Sequence, residues 1–365
     1  MVLSTTHSKA GPTMVVDVET GKVLEHKDAF QRWYPASLTK LMTAYVVFRQ
    51  VKSGAITVNS PVTISNNAAK APPSKMYFKP GSQLTLDHAL KIIMVKSAND
   101  VSVAIAETIA GSHDFFVAMM NEEAARLGMS DTRFINANGL PGKGQRTTAR
   151  DMAILGVALK REFPQFSHYF SLEAITTGKR TYTNYNILIG RFTGANGMKT
   201  GFICASGFNQ VSSATRRGRS VVAVVLGAKD QEERAVESAR LLHKGLTTPG
   251  LAKPSLYTMR PYGQNRLQTV NMRPLVCSQE ARRARNDGRG VEGMTIQSAY
   301  ISPLGRQARA VRVRLSGKIP ASLASGRIPV PKPRPVGVGD GEGPVATVGA
   351  KPASNVPVPR KRPSL

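Results

Sequence analysis

A serine and a lysine stand three positions apart in the segment YPASLTKLMTAY, residues 34–45. On one helix, Ser37 and Lys40 would share a face and lie within reach of each other. The apolar residues around Lys40 predict a partly buried ammonium, and burial lowers a lysine pKa because desolvation disfavours the charged form. A neutral Lys40 could take the proton of the Ser37 hydroxyl. The alternative is structural: serine is a favoured N-cap, and a lysine in a first turn is usually solvated.

A second polar pair, Ser97 and Asn99 of the segment SAND, falls in a break between two strongly apolar segments with helical character. Either residue could simply cap the helix that follows. A short polar loop between buried helices can also point a hydroxyl and an amide into a cleft while its ends stay fixed.

The third segment is Lys199–Thr200–Gly201, at the start of a predicted strand. Lys199 could be an edge-strand lysine that protects against aggregation. Alternatively, Lys199 and Thr200 could bind a carboxylate, with Gly201 letting a substrate approach the backbone. The backbone N–H of Phe202 could then donate to a developing oxyanion.

The elements around these segments predict a sheet with helices packed on it. Residues 13–29 read as a hairpin, and residues 197–228 as an antiparallel meander of three strands. Between them, apolar periodicity predicts the following helices: 37–51, two within 84–111 that are separated at KSAN and end at Gly111, 113–129 ending at Gly128, and 148–163 with Thr148 as N-cap.

The charge is concentrated in the last third of the chain. Of 365 residues 41% are hydrophobic, enough for a sizeable core, and 50 Lys and Arg against 23 Asp and Glu give a net charge of +27. Residues 251–365 hold 20 of these basic and 5 of these acidic residues, so +15 lies there. The excess indicates an anionic partner such as nucleic acid, an acidic membrane face or a wall polymer. In this region AVRVRL, residues 310–315, is a strand candidate.

The sequence does not decide whether the protein is exported. The opening MVLSTTHSKAG lacks the apolar core of a secretory signal, so the signal has been removed, the start site is wrong, or the protein is cytosolic. Cys204 and Cys277 could form one disulfide in an oxidising compartment or remain unrelated buried thiols in a reducing one. No apolar stretch of about 18 residues predicts a membrane span.

The order of the three segments carries more information than any one of them. S-x-x-K at Ser37, S-x-N sixty positions later at Ser97 and K-T-G a hundred positions after Asn99 form a known penicilloyl-serine transferase set. With RWYPASLTKLMTAYVVF, KSANDVSVAIAE and GMKTGFICASGFNQVSSATRRGRSVVAVVLGA, the sequence resembles the low-molecular-mass penicillin-binding proteins, serine-type D-alanyl-D-alanine carboxypeptidases of peptidase family S11.

This resemblance implies a mixed α/β (α+β) transpeptidase fold, shared with β-lactamases, in which helices flank an antiparallel five-stranded sheet. It implies a catalytic domain at residues 1–248, followed by a basic, partly ordered extension at 249–319. Residues 320–365 are rich in Pro and Gly and are predicted to be a basic disordered tail. That tail lacks the apolar face of an amphipathic anchor helix, so any contact with an anionic membrane or wall polymer would be electrostatic.

The resemblance also assigns roles in catalysis. Ser37 would be the nucleophile, Lys40 its general base, Ser97 a proton relay, and Asn99 a ligand of the substrate amide. The N–H groups of Ser37 and Phe202 would bind the oxyanion.

Substrate binding would fall to the K-T-G strand. Lys199 and Thr200 would hold the terminal carboxylate of a peptidoglycan stem peptide ending in D-Ala-D-Ala, beside Gly201 and Phe202. A β-lactam would acylate Ser37 as a substrate mimic. No cofactor or metal is implied, and the location implied is the periplasm.

Three other functions stay open at this point. A β-lactamase would need a deacylating glutamate, and residues 129–150, where it is expected, contain none. A D,D-endopeptidase of the same superfamily would cut cross-links instead. A non-catalytic protein could use the basic tail to bind wall polymer or nucleic acid, although nucleic acid is not the expected partner. Ala98, where the family often has glycine or aspartate, is a small departure expected to be tolerated.

Overall fold

The computed structural model describes residues 11–250, 252–284 and 296–316, so the predicted tail at 320–365 lies outside the described residues. The strands in these ranges are β1 (Thr13–Asp17), β2 (Val23–Lys27), β3 (Pro61–Thr63), β4 (Gln83–Thr85), β5 (Ala174–Thr176), β6 (Thr181–Thr183), β7 (Ala195–Ile203), β8 (Gly207–Arg216), β9 (Arg219–Ala228) and β10 (Ala310–Arg312). The helices are α1 (Thr39–Lys52), α2 (Asn66–Lys70), α3 (Leu86–Val95), α4 (Asn99–Ala110), α5 (His113–Arg126), α6 (Ala149–Glu162), α7 (Gln231–Thr247), α8 (Arg273–Val276) and α9 (Gln279–Ala284). Two 3-10 segments cover Ala36–Leu38 and Pro164–Phe170.

One antiparallel sheet of five strands organises the molecule, in the order β2-β1-β9-β8-β7. The predicted N-terminal hairpin and the predicted meander are both confirmed, and they meet because β1 pairs with β9. This order places β7, the strand that begins with Ala195 and carries the K-T-G residues, at the edge of the sheet.

Helices cover both faces of the sheet, which explains why β9 is an almost continuous apolar run. Successive side chains of a strand point to opposite faces. A Cβ added to Gly156 of α6 would lie 2.8 Å from Val222, and one added to Gly245 of α7 would lie 2.6 Å from Val15 and 3.5 Å from Val221. The two helices therefore pack closely on opposite sides of the same strand.

The second layer is helical and is centred on α1, whose residues from Thr39 to Phe48 are all buried. The ring of Phe48 contacts the rings of Phe163, Phe166, Tyr169 and Phe170. Aromatic side chains in such clusters contribute strongly, and truncation of one to alanine costs about 3–5 kcal/mol. This cluster fixes the helix that follows Ser37.

The predicted helix boundaries are confirmed where a cap defines them. The Thr148 hydroxyl accepts from the N–H of Asp151, and α4 gives way to Gly111 in the left-handed conformation at φ +75°. Helix α7 and the small sheets β3-β4 and β10-β5-β6 were not predicted, although AVRVRL does contain the short strand β10.

Part of the predicted extension packs into the same core as the segments that carry the predicted catalytic residues. Leu256 and Val313 are buried in the main core, and β10 pairs with β5 in parallel. Cys204 and Cys277 form a disulfide bond, which decides between the two alternatives left by the sequence.

No single helix among the described residues is long and apolar enough to cross a membrane, whereas α4 and α5, bent by 86° at their junction, meet the length and composition criteria only as a pair.

Candidate active site

Ser37 lies in the 3-10 turn that precedes α1, and its hydroxyl does not cap the helix. Helix α1 begins at Thr39, and neither this helix nor the 3-10 turn has a side-chain cap. The N-cap interpretation of Ser37 is therefore wrong. The reason is the turn itself, which starts from Ala36 in the left-handed conformation at φ +48° and presents the hydroxyl to a cavity.

Lys40 is completely buried, so its interpretation as a solvated surface residue is also wrong. Its Nζ lies 3.2 Å from Ser37 Oγ, 2.8 Å from Asn99 Oδ1 and 2.6 Å from the backbone oxygen of Asn138. The last two atoms can only accept, whereas the serine hydroxyl can also donate. A neutral amine would satisfy both acceptors with its two hydrogens and direct its lone pair at the serine proton.

The electrostatic surroundings favour that neutral form. Burial holds the pKa of Lys40 well below its usual range, the charge of Lys199 lowers it further, and Asp100 partly opposes both. Desolvation penalises only the charged state, so burial favours the neutral amine that can accept a proton.

The backbone oxygen that contacts Lys40 depends on a glycine that the sequence interpretation missed. Gly139 has φ +86°, and a Cβ built on it would lie 1.9 Å from the oxygen of Ala36. The Asn136 side chain accepts from the N–H of Gly139 at 2.7 Å and closes this turn. The available signal was the dipeptide Asn138–Gly139, a strong turn former.

Ser97 and Asn99 both face the cavity, and neither caps α4, whose N-cap is Ala98 without a side-chain bond. Ser97 has φ +60°, an uncommon conformation for a residue other than glycine, and its buried Oγ has no hydrogen-bond partner among the described residues. The Asn99 amide donates to the oxygen of Pro72 at 3.0 Å, which orients its Oδ1 toward Lys40. The cap interpretations are wrong, and a serine hydroxyl remains available in the cavity.

Strand β7 forms the opposite wall. Lys199 and Thr200 are buried, and Lys199 Nζ donates to the oxygen of Thr200 at 3.0 Å. Burial, assisted by the charge of Arg234, lowers the pKa of Lys199 to about 7. A Cβ on Gly201 would meet the oxygen of Pro35 and the nitrogen of Ser37, each at 3.0 Å. The glycine is thus needed for β7 to approach the Ser37 turn, a reason that the sequence did not reveal.

Arg234 of α7 is a further cavity residue that was missed, because α7 itself was not predicted. Its Nη2 donates to the oxygen of Tyr185 at 2.9 Å, while its buried Nε has no hydrogen-bond partner in the part of the chain that the structure describes. Burial lowers the pKa of Arg234 to about 10, against the opposing effect of Asp230. A guanidinium with an unsatisfied donor at the cavity wall can bind an anion.

These residues surround a cavity of about 350 Å³, and its lining includes Ser37, Ser97, Asn99, Thr200, Gly201, Phe202 and Arg234. Its lining residues include no aspartate or glutamate, while the buried Lys40 and Lys199 each contact residues of the lining. A larger cavity of about 710 Å³, between Glu173 and Arg191 on one side and residues 296–308 on the other, contains none of the predicted site residues. The chemistry belongs to the smaller cavity.

A serine at a cavity wall with a buried lysine behind it, between a helical layer and an antiparallel five-stranded sheet, is typical of the penicillin-binding proteins with the transpeptidase fold. The chain belongs to the D-alanyl-D-alanine carboxypeptidase family, peptidase family S11, whose model matches residues 2–230.

Known proteins of this family resemble the chain over its first two thirds. It is 37% identical over 239 residues to the D-alanyl-D-alanine carboxypeptidase DacC of Escherichia coli, a match that covers 64% of this chain and 60% of DacC. The crystal structure of penicillin binding protein 6B from Escherichia coli is similar with a TM-score of 0.63 and 36% identity, over 66% of this chain and 78% of that protein. Penicillin-Binding Protein D2 from Listeria monocytogenes in its ampicillin-bound form gives a TM-score of 0.60 and 28% identity, over 65% and 98%. The chain spans about three fifths of the length of the curated relatives it matches.

Proposed function

We propose that this protein is a serine-type D-alanyl-D-alanine carboxypeptidase that removes the terminal D-alanine of peptidoglycan stem pentapeptides. The observation that carries the proposal is the 3.2 Å contact of Ser37 Oγ with the buried Nζ of Lys40, at the base of a cavity walled by β7. The family to which the chain belongs supports the same reaction.

Acylation would begin when neutral Lys40 accepts the Ser37 proton and Ser37 Oγ attacks the carbonyl carbon between the two D-alanines. The backbone N–H groups of Ser37 and Phe202 would stabilise the oxyanion, each by about 3–4 kcal/mol. The close approach of Gly201 to Ser37 supports this placement, because it brings the two backbone segments together on one side of the cavity.

Expulsion of D-alanine requires a proton on its amine. Ser97, whose hydroxyl has no partner among the residues that the structure describes, would relay that proton from Lys40, and the Asn99 amide would hold the substrate backbone. Water would then attack the acyl-enzyme and release the shortened peptide.

The substrate carboxylate would lie against the cationic wall. Lys199 and Thr200 would bind it, and we add Arg234 because this residue lines the same cavity and its Nε has no hydrogen-bond partner among the described residues. A charge-assisted hydrogen bond would satisfy that donor. Replacement of Arg234 by alanine should raise KM for peptides with a free C-terminal carboxylate more than for their C-terminal amides.

The decisive test is D-alanine release from diacetyl-L-lysyl-D-Ala-D-Ala. Wild type should release D-alanine, and Ser37→Ala should abolish release. Ser53→Ala is a matched control, since Ser53 is an exposed serine immediately after α1. Equal release by wild type and Ser37→Ala would rule out this mechanism.

Two related activities, those of a β-lactamase and of a D,D-endopeptidase, can be distinguished from the carboxypeptidase with other substrates. With a fluorescent penicillin, a long-lived Ser37 adduct supports the carboxypeptidase and fast turnover to penicilloate the β-lactamase. The absence of a carboxylate among the cavity-lining residues favours the long-lived adduct, because no glutamate is in place to activate water. Cross-linked muropeptides test the D,D-endopeptidase alternative.

The partners in this proposal are stem peptides ending in D-Ala-D-Ala, with β-lactams as covalent inhibitors, and the proposed location is the periplasm. The disulfide between Cys204 and Cys277 supports that location, since such bonds persist in oxidising compartments. Contact of the basic tail with an anionic membrane or wall polymer remains part of the proposal.

A further inference from the structure

The outer end of the β7 wall is a tight turn at residues 203–206. The N–H of Ser206 donates to the oxygen of Ile203 at 3.0 Å, and Phe202 and Ile203 both line the active-site cavity. The position of this turn therefore determines where the far end of the cavity wall lies.

Two parts of the chain hold this turn in place. From within the catalytic domain, the indole N–H of Trp33, four residues before Ser37, donates to the oxygen of Ser206 at 2.8 Å. From the extension, Cys277 is bonded to Cys204, and the N–H of Met272 donates to the oxygen of Ala205 at 2.9 Å. Cys277 and Met272 lie beyond residue 230, where the match to the family model ends.

Strand β7 depends on such support because it is the edge of its sheet and pairs only with β8 among the described residues. Its contact with the Ser37 turn is close, with Pro35 O and Ser37 N each 3.0 Å from the Cβ position of Gly201. A small shift of β7 would displace Thr200, Gly201 and Phe202 on the substrate side of the cavity, whereas Lys40 is carried by α1 and Ser37 by the 3-10 turn before it.

We propose that the C-terminal extension is a positioning element of this active site, and that reduction of the Cys204–Cys277 bond by a dithiol weakens substrate binding. The inference rests on the proposed carboxypeptidase function. Both cysteines are half-buried, so a small dithiol can reach them.

The redox step is ordinary thiol–disulfide exchange. One thiolate of the dithiol attacks a cysteine sulfur, which forms a mixed disulfide and releases the other cysteine as a thiolate. The second thiol of the reagent then attacks the mixed disulfide. The dithiol leaves as a cyclic disulfide, and Cys204 and Cys277 gain two electrons and two protons between them.

The chain offers a clean experiment because it contains only these two cysteines and the proposed nucleophile is a serine. Full-length protein is assayed for D-alanine release before and after dithiothreitol, beside a Cys204→Ser, Cys277→Ser double variant. Reduction of wild type should raise KM by at least about threefold, and kcat should fall as well if the N–H of Phe202, the proposed oxyanion donor on β7, moves with the strand. The double variant should show the higher KM in both conditions.

Hydrogen exchange at residues 199–206 supplies a readout that does not depend on activity. Faster exchange there after reduction, with exchange in α1 unchanged, supports the positioning role. Unchanged exchange, or an unchanged KM in active protein, overturns it. Loss of all activity in the oxidised protein would instead count against the carboxypeptidase function, and exchange would still decide whether the bond positions β7.

Discussion

Lys40 donates to the backbone oxygen of Asn138 at 2.6 Å, a bond between the first helix and a turn 98 residues further along the chain. Together with the bond to Asn99 Oδ1, it uses two hydrogens of the amine in directions that leave Ser37 as the third neighbour. The base is thus oriented by a loop and a second helix, and α1 alone would not define its geometry. A side chain that is held in this way loses little entropy when it reacts.

Replacement of Lys40 by methionine should slow acylation of Ser37 by a fluorescent penicillin by about 10²–10⁴-fold, because the proton acceptor is lost. Lys52→Met is the control, since Lys52 is exposed at the end of the same helix. The adduct is followed by stopped-flow fluorescence, and circular dichroism verifies folding. An unimpaired rate in Lys40→Met would mean that another group takes the proton.

The pH dependence of KM should follow the two cations proposed to bind the carboxylate. Lys199, with a pKa of about 7, loses its charge as pH rises through 7, whereas Arg234 keeps its charge up to about 10. KM for a free-carboxylate peptide should therefore rise in two steps, near these two values. In Lys199→Met the step near 7 should vanish and the step near 10 should remain. A C-terminal peptide amide, which lacks the charge, should show neither step.

The free energy of unfolding should also depend on the protonation of Lys199, and it should rise over the pH range in which substrate binding weakens. Unfolded Lys199 titrates at about 10.4, but folded Lys199 at about 7, so the unfolded state binds more protons between these values. The free energy of unfolding therefore rises with pH across that window, and below pH 7 the cost of burying the charge is complete. Lys199→Met should stabilise the protein by a few kcal/mol below pH 7 in urea titrations. No gain at low pH would show that the buried charge is compensated.

Gly139→Ala should destabilise the fold by more than about 2 kcal/mol and slow Ser37 acylation by about 10- to 100-fold. The new Cβ would overlap the oxygen of Ala36, at 1.9 Å, and would displace the Asn138 oxygen from Lys40. Gly128→Ala is a matched control, because Gly128 has φ +75° and nothing within 4 Å of its Cβ position. That control should cost about 1 kcal/mol and leave acylation unchanged. Similar effects of the two substitutions would remove the steric argument.

Asp131 should stabilise the region around residues 131–148 through its ion pairs with two arginines. Its carboxylate accepts from Arg32 at 2.8 Å and from Arg266 of the extension at 3.1 Å. Burial and the charges of Arg32 and Arg133 lower the pKa of the nearby Arg146, and the charge of Asp131 partly opposes them.

Asp131→Asn should lower the free energy of unfolding by about 1–3 kcal/mol, because three charge-assisted hydrogen bonds from Arg32 and Arg266 are weakened and the arginines repel each other. Added salt should restore part of the loss by screening that repulsion. Glu122→Gln, the same change at an exposed position within α5, is the control for thermal or urea unfolding. A loss that salt does not reduce would assign the effect to packing.

The sequence predicted what depends on local periodicity and on short spacings. Helix α1 is apolar on nearly every side, which is typical of a core helix, and Ser37 and Lys40 are three positions apart, which places them together on one turn. Burial of Lys40 followed from the same pattern. The strands of the main sheet followed from their long β-branched runs, most clearly in β9.

What could not be predicted depends on contacts between distant segments. The conformation of Ala36 and the contact of Asn138 with Lys40 both depend on the meeting of the Ser37 turn with the turn at Asn138. The sequence of either segment alone does not show that the two meet. Helix α7 was not predicted because its buried side gives a weak apolar pattern. That side has an arginine, Arg234, two leucines and small residues such as Ala235 and Ser238. Strands β5, β6 and β10 are three residues each, too short for a periodic signal.

The burial of Val313 bears on the biosynthesis of this protein. Its side chain fills the main core and its N–H donates to the oxygen of Thr176 at 2.8 Å, although every proposed catalytic residue has been synthesised before residue 250. Domains fold as their segments leave the ribosome, so a nascent chain would carry a complete set of catalytic side chains around an incomplete core until residue 313 emerges. A message truncated at residue 250 would therefore yield a product that cellular quality control should recognise and degrade.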